Sequence, residues 1–331
     1  VQRTLRGALL GAATLAGAIA GAPRLLPETT AADRLPRREL ARDTSRFVHV
    51  DGIEVHHEVF GPTSPDLADH AAPTLLLSHH FYGSTRVWDR FAPLLAADHR
   101  VVAWDRPGFG LTERPTRDRF GERNPYTRRA AAELGWGLLD ELGVGEAVLV
   151  GSSAGGTNAL EMYAMAPQRV RALVLLAPAI TGDVGAPPPL RDLLRSEVGL
   201  RLGPRAVERL VTEVTRERST RAWADPSRAE EIDLAPYRDL LRTEGWSRGL
   251  WEVMTAEGPP DLRGVLRSVT VPALVVTGSH DRTIAPRWGR WVAALMPGGR
   301  FELLPDCGHV PHQERPTELA AIVRGFLAEL R

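Results

Sequence analysis

Ser153 stands in Gly151-Ser152-Ser153-Ala154-Gly155, with an apolar run at 147–150 before it and a helix-forming stretch after it. A Gly-x-Ser-x-Gly placed between a strand and a helix is a nucleophile elbow. The turn is tight enough to strain the serine backbone and to demand small neighbours. Ser153 is therefore the expected nucleophile, and Ser152 reads as structural. A serine hydroxyl attacks well only when a base takes its proton, and the base needs an acid that fixes its tautomer and stabilises its charged form. Two downstream loops offer both: 273–277 ends in Gly278-Ser279-His280-Asp281-Arg282, and 301–304 leads into Pro305-Asp306-Cys307-Gly308-His309. Each loop follows an apolar run, so Asp281 and His309 are expected just past strand ends. His312 is the alternative base, Asp183 the alternative acid, and His280 reads as structural.

The remaining residue types narrow the chemistry. All 41 basic residues are arginine, which excludes a Schiff-base lysine and a Ser-Lys dyad. Cys307 is the single cysteine, so neither an internal disulfide nor a cysteine metal cluster can form. The pairs His56-His57 and His79-His80 are adjacent in sequence, and on a strand adjacent side chains point to opposite faces, so neither resembles a chelating site. No metal is expected, and serine chemistry of this kind requires no cofactor. The 41 acidic residues balance the basic ones. Without a net positive field, nucleic acid is not an expected partner and a small, uncharged molecule is.

The elements that must hold these groups follow from apolar patterning. Arg3 and Arg6 precede an uncharged run ending in Ala20-Gly21-Ala22, which has the form of an export cleavage site. Residues 1–22 are expected to be a signal peptide of an exported protein, with a membrane anchor as the alternative, and membrane contact is expected only there. Residues 23–46 lack apolar periodicity and read as a linker. A hairpin follows, 47–50 and 53–60 around Asp51-Gly52. Continuous apolar runs at 74–77, 101–104, 147–150, 172–176, 273–277 and 301–304 then alternate with helical segments, as in a mainly parallel sheet buried on both faces. The core is expected over 47–177 and 267–331. The interval 178–266 holds Pro187-Pro188-Pro189, amphipathic stretches and Trp223, Tyr237, Trp246 and Trp251, but no good strand. It reads as a helical cap over the carboxyl ends of the strands, where such sheets bind ligands. Trp223, Trp246 and Trp251 are candidate substrate contacts, with the insertion's own core as the alternative.

Four stations carry a resemblance: Leu77-Ser78-His79-His80-Phe81-Tyr82-Gly83-Ser84 with Trp88, Trp104-Asp105-Arg106-Pro107-Gly108-Phe109-Gly110-Leu111-Thr112, the elbow, and Gly308-His309-Val310-Pro311-His312-Gln313-Glu314-Arg315-Pro316. Together, and over about 47–330, the chain resembles the α/β-hydrolase superfamily, in particular its capped, esterase-like members. The resemblance implies an α/β-hydrolase fold: a mainly parallel eight-stranded sheet flanked by helices, with a helical cap and a triad in the order Ser153, Asp281, His309. It also implies an oxyanion hole made by the backbone N–H groups of Phe81 and Ala154. A His-Gly pair usually begins that loop in the family, whereas here the second member is His80, a candidate for lining the acyl pocket or its entrance. Asp105, Arg106 and the nearby glycines look like the family's tight-turn framework. A serine in place of the aspartate of dehalogenase and epoxide-hydrolase branches points to an acyl carbon as electrophile. The expected activity is hydrolysis of small or medium apolar carboxylic esters through an acyl-enzyme. The alternatives are a carbon–carbon bond hydrolase, a cofactor-free perhydrolase, or a ligand-binding receptor on the same fold.

Overall fold

Eight strands form one sheet in the order β1-β2-β4-β3-β5-β6-β7-β8 in the computed structural model. The structure describes residues 34–61, 72–120, 123–180, 188–208, 222–231, 240–258 and 260–330. The expected signal or anchor at 1–22, the first part of the expected linker, Asp183 and Tyr237 lie outside them. The strands are β1 (Ser45–Val50), β2 (Ile53–Phe60), β3 (Thr74–Ser78), β4 (Val101–Trp104), β5 (Ala147–Ser152), β6 (Val170–Leu176), β7 (Ala273–Gly278) and β8 (Gly299–Leu304). The β1–β2 and β2–β4 pairings are antiparallel and the others parallel. Asp51 and Gly52 both take positive φ, the backbone that a two-residue hairpin turn requires.

Period-two alternation sends neighbouring strand residues into two separate cores. Leu76, Val102, Leu149 and Val275 face one side, where they pack with α1 (Arg128–Glu141), α2 (Ala154–Met165) and the helix Pro286–Leu295. Leu75, Leu77, Val101, Val148 and Val150 face the other, against the helix Pro316–Ala328. Leu75, Leu76 and Leu77 are all fully buried. Each contributes about 2 kcal/mol of burial free energy, which explains why these strands read as unbroken apolar runs.

The insertion carries helices at Pro188–Leu194 and 197–208, a short 3-10 helix at Pro226–Glu231, and α3 (Trp246–Ala256). Apart from isolated bridges at Thr243 and Asp261, its described residues form no strand. Trp246, Leu250 and Trp251 on α3 share a cluster with Phe109, Leu194 and Val207, and Phe81 packs against it. The insertion therefore rests on the loops that leave the carboxyl ends of β3 and β4.

Residues 34–46 differ from the expected linker. Leu35 pairs with Thr243 of the insertion, Arg37 donates to Leu111 O and to Glu54, and Arg42 is held by Glu58 and Asp89. β1 begins at Ser45, two residues earlier than expected. This segment is fastened by guanidinium hydrogen bonds instead of apolar burial, and so it leaves no hydrophobic pattern in the sequence. The two arginine side chains are only partly exposed.

Candidate active site

β5 ends at Ser152 and α2 begins at Ala154, so the whole change of direction falls on Ser153, with φ 50° and ψ −114°. A non-glycine residue held there carries about 1–3 kcal/mol of backbone strain. Three hydrogen bonds maintain it: Ser153 N donates to Leu176 O at 2.8 Å, and Ser153 O accepts from Gly156 N at 2.9 Å and Ala179 N at 3.1 Å. The turn also requires small neighbours. A Cβ at Gly155 would lie 1.9 Å from Ser78 O, and one at Gly151 would lie 2.3 Å from Gly155 O.

Asp281 and His309 leave the carboxyl ends of β7 and β8. His309 Nδ1 and Asp281 Oδ2 are 2.8 Å apart. The carboxylate can only accept, so Nδ1 carries the proton and Nε2 of the neutral ring is left as a lone pair. Asp281 Oδ1 accepts from Thr283 N and Ile284 N, each at 2.8 Å, which fixes the carboxylate. The two loops are laced together by Ser279 N to Leu304 O and His280 N to Cys307 O, both 2.9 Å. Among the described residues, Ser153 and His309 share no hydrogen bond. Of the two candidate bases, His309 is the one paired with a carboxylate. His312 is fully buried against Trp88, with ring centroids 4.5 Å apart and both ring nitrogens without a partner. Burial holds its pKa well below the usual histidine range. His280 is exposed and bonded to Ser279.

Glu314, missed in the sequence reading, organises this corner. Its buried carboxylate accepts from Gly308 N at 2.6 Å and from Ala224 N and Asp225 N at 3.1 to 3.2 Å, while His309 N donates to Ala222 O at 2.6 Å. The insertion segment is thereby stitched to the histidine loop, and Trp223 packs on Val310 there. In the sequence Glu314 appears only as a member of the station at 308–316, with no role of its own.

The loop after β3 is held from below. His79 Nδ1 donates to His80 O at 2.7 Å and its Nε2 accepts from Arg106 N at 3.1 Å, and burial keeps this ring neutral. His80 Nδ1 lies 2.8 Å from Phe81 O. Tyr82 takes φ 64°. The Phe81 N–H makes no backbone hydrogen bond among the described residues. The Ala154 N–H, in the first turn of α2, has no acceptor within its helix. Asp105 Oδ1 accepts from Thr85 N and Oδ2 from Leu111 N, each at 2.7 Å. Burial pushes its pKa up, but neighbouring His56 and His79 and the Leu111 N–H outweigh this and hold it at about 2.

The tryptophans separate. Trp251 is fully buried, its ring against the backbone of Gly203 and its Nε1 donating to Leu194 O at 3.2 Å. This corrects the expectation of a substrate contact, because a ring enclosed on all sides with its donor already used belongs to the insertion's interior. Trp246 shares that cluster, whereas Trp223 sits beside the His309 loop. No group of three or more histidine, cysteine or carboxylate side chains suited to a metal occurs among the described residues. No helix among them is long and apolar enough to cross a membrane.

Comparison with known proteins places the chain in a family. A family model described as alpha/beta hydrolase fold matches residues 73–316. The chain is 29% identical over 265 residues to the dihydrolipoyllysine-residue acetyltransferase component of the acetoin cleaving system of Pseudomonas putida, a match covering 79% of this chain and 65% of that protein, less than two thirds of its length. It is 29% identical over 240 residues to 2-hydroxymuconate semialdehyde hydrolase of Pseudomonas putida, covering 70% of this chain and 77% of the relative. It is also 29% identical over 285 residues to the lipase LipV of Mycobacterium tuberculosis, covering 83% and 98%. Among solved structures, the enol-lactonase from Burkholderia xenovorans LB400 superposes with a TM-score of 0.66 at 26% identity, covering 86% of this chain and 100% of that one. The family match spans well over half of the sequence and takes in the elbow, Asp281 and His309, and the chain belongs to the α/β-hydrolase fold family.

Proposed function

We propose that this chain is a serine hydrolase that cleaves small or medium apolar carboxylic esters through an acyl-enzyme. The observation that carries the reading is the His309–Asp281 pair at 2.8 Å, which commits Nδ1 and leaves Nε2 as a base, in a fold whose elbow presents a strained serine. Ser153 Oγ attacks the ester carbonyl as its proton passes to His309 Nε2, a contact that closes when substrate binds. The oxyanion is received by the N–H groups of Ala154 and Phe81, each worth about 3 kcal/mol to the transition state. Collapse breaks the carbonyl–alkoxy bond, and the alcohol leaves with the proton from His309. Water then gives a proton to His309 and attacks the acyl carbon, and collapse releases the acid and returns the proton to Ser153. The likeness to the enol-lactonase and to the lipase supports the ester as substrate.

A second reading, hydrolysis of a carbon–carbon bond in a vinylogous diketone, is favoured by the equal identity to the semialdehyde hydrolase. Rapid mixing with short- and medium-chain nitrophenyl esters separates the two. A nitrophenol burst equal to the enzyme concentration, absent in Ser153→Ala, is the expected result. Turnover of a dienol ketone with neither burst nor turnover on any ester would replace the ester reading with the second.

A further inference from the structure

We infer that His80 is a hydrogen-bond acceptor for the substrate, and that the site selects esters bearing a hydroxyl or N–H donor close to the scissile carbonyl. This deepens the ester-hydrolase reading and rests on it. His80 Nδ1 lies 2.8 Å from Phe81 O. A carbonyl oxygen only accepts, so Nδ1 must donate, and a neutral imidazole has a single N–H to give. Nε2 is thus a bare lone pair. It is screened from solvent and has no partner among the described residues. The nearest ring is that of His312, with centroids 5.7 Å apart, and neither of its nitrogens reaches a partner. Burial first, and then the charges of His309 and Arg106, lower the His80 pKa to about 4, so the ring stays an acceptor at neutral pH.

Position gives the acceptor its meaning. His80 immediately precedes Phe81, whose N–H is assigned to the oxyanion, and its ring faces the loop that carries His309 and His312. A buried acceptor without a donor is costly, and a substrate that supplies one removes that cost on binding. A plain alkyl ester leaves the cost in place. Sites that hydrogen-bond a substrate hydroxyl discriminate strongly against the analogue lacking it.

The test compares nitrophenyl 2-hydroxy- and 3-hydroxybutyrate with nitrophenyl butyrate, with each rate divided by that of hydroxide-catalysed hydrolysis. In the wild-type chain, kcat/KM for the better hydroxylated ester should exceed that for butyrate by about tenfold or more. His80→Asn keeps a donor for Phe81 O and has no atom at the Nε2 position, so the ratio should fall to about one. His80→Gln places an amide oxygen near Nε2 and should restore part of the ratio. His80→Phe, which keeps a ring but no acceptor, should behave like the Asn variant and serves if that variant does not fold. A wild-type ratio near one, or a preference that survives in the Asn or Phe variant, overturns the assignment while ester hydrolysis stands. No turnover of any of the three esters removes the ester reading, and this assignment with it.

Discussion

Two histidine–aspartate pairs among the described residues stand near a serine in the sheet or at its strand ends, and the one whose hydrogen-bond chain reaches a serine is not the candidate active site. At the sheet edge, Ser45 Oγ lies 2.8 Å from His56 Nε2, and His56 Nδ1 lies 2.6 Å from Asp105 Oδ2. At the strand ends, His309 and Asp281 are joined at 2.8 Å, and no hydrogen bond among the described residues links Ser153 to the ring. The edge set lacks everything that turns a relay into a catalyst. Ser45 sits in regular strand backbone, and its oxygen already accepts from Arg42 N. Asp105 is also saturated by Thr85 N and Leu111 N. His56 is packed against Phe47 with its centroid 5.0 Å away. Ser45 opens a strand, whereas Ser153 directly precedes α2. A proton relay does chemistry only where its serine is strained, its proton can leave, and donors await the charge that forms. The edge set is a fastener that joins β2, the loop after β3 and the turn after β4.

Substitution of the two serines tests the contrast most severely. Ser153→Ala should lower ester kcat by about 10⁶-fold, whereas Ser45→Ala should stay within about threefold because it touches only the fastener. Equal losses in steady-state assays would erase the distinction. The acids should part in the same way. Asp281→Asn is expected to lower kcat by about 10⁴-fold with little change in melting temperature. Asp105→Asn should instead cost about 3–5 kcal/mol in denaturant unfolding, since it unbalances a buried ionic contact.

Acid should weaken both regions. The folded pKa of His57, next to the edge set, lies at about 4 because of burial and the charges of His56 and Arg100, and that of His80 is also about 4. Unfolded histidine titrates near about 6.5, so below that pH the unfolded chain takes up protons that the folded chain refuses. Stability is therefore full above pH ~6.5 and falls toward pH ~4, by up to about 3 kcal/mol for each of these two histidines. Urea titrations across that window should show a reduced slope in His57→Gln, and an unchanged slope would contradict the assignment. A smaller loss of turnover than at Asp281 is expected at Glu314. Its Gln variant should lower kcat by about tenfold, chiefly on kcat and not KM, and should leave the burst stoichiometric. A fall confined to KM would mean that Glu314 serves the insertion alone and not the placement of His309.

What the sequence disclosed, and what it hid, divide along a physical line. The parallel strands were readable because burial on both faces demands unbroken runs such as Leu75-Leu76-Leu77. The elbow was readable because close approach admits only glycine at positions 151 and 155. Contacts made by charged groups across long separations left no comparable trace. Arg37 and Arg42 look like linker composition until Glu54 and Glu58 are seen opposite them. His56 meets Asp105 only through strand pairing, and Glu314 gains its role from backbone N–H groups about 90 residues earlier in the chain. Trp251 was ambiguous for a different reason, since an aromatic on an amphipathic stretch looks the same whether it faces a ligand or its own helix pair.

The stitching at Glu314 bears on how such a protein could be re-engineered. An insertion of this kind invites exchange while the sheet and loops beneath it are retained. Here the segment at 222–225 supplies a carbonyl to the backbone of His309, and Glu314 receives the segment's amides in return. A graft cut at the boundaries of the insertion would sever that reciprocal seam. Donor and recipient must therefore match at 222–225 and at 314 together, and the transferable unit is discontinuous: the insertion plus the short stretch around residue 314.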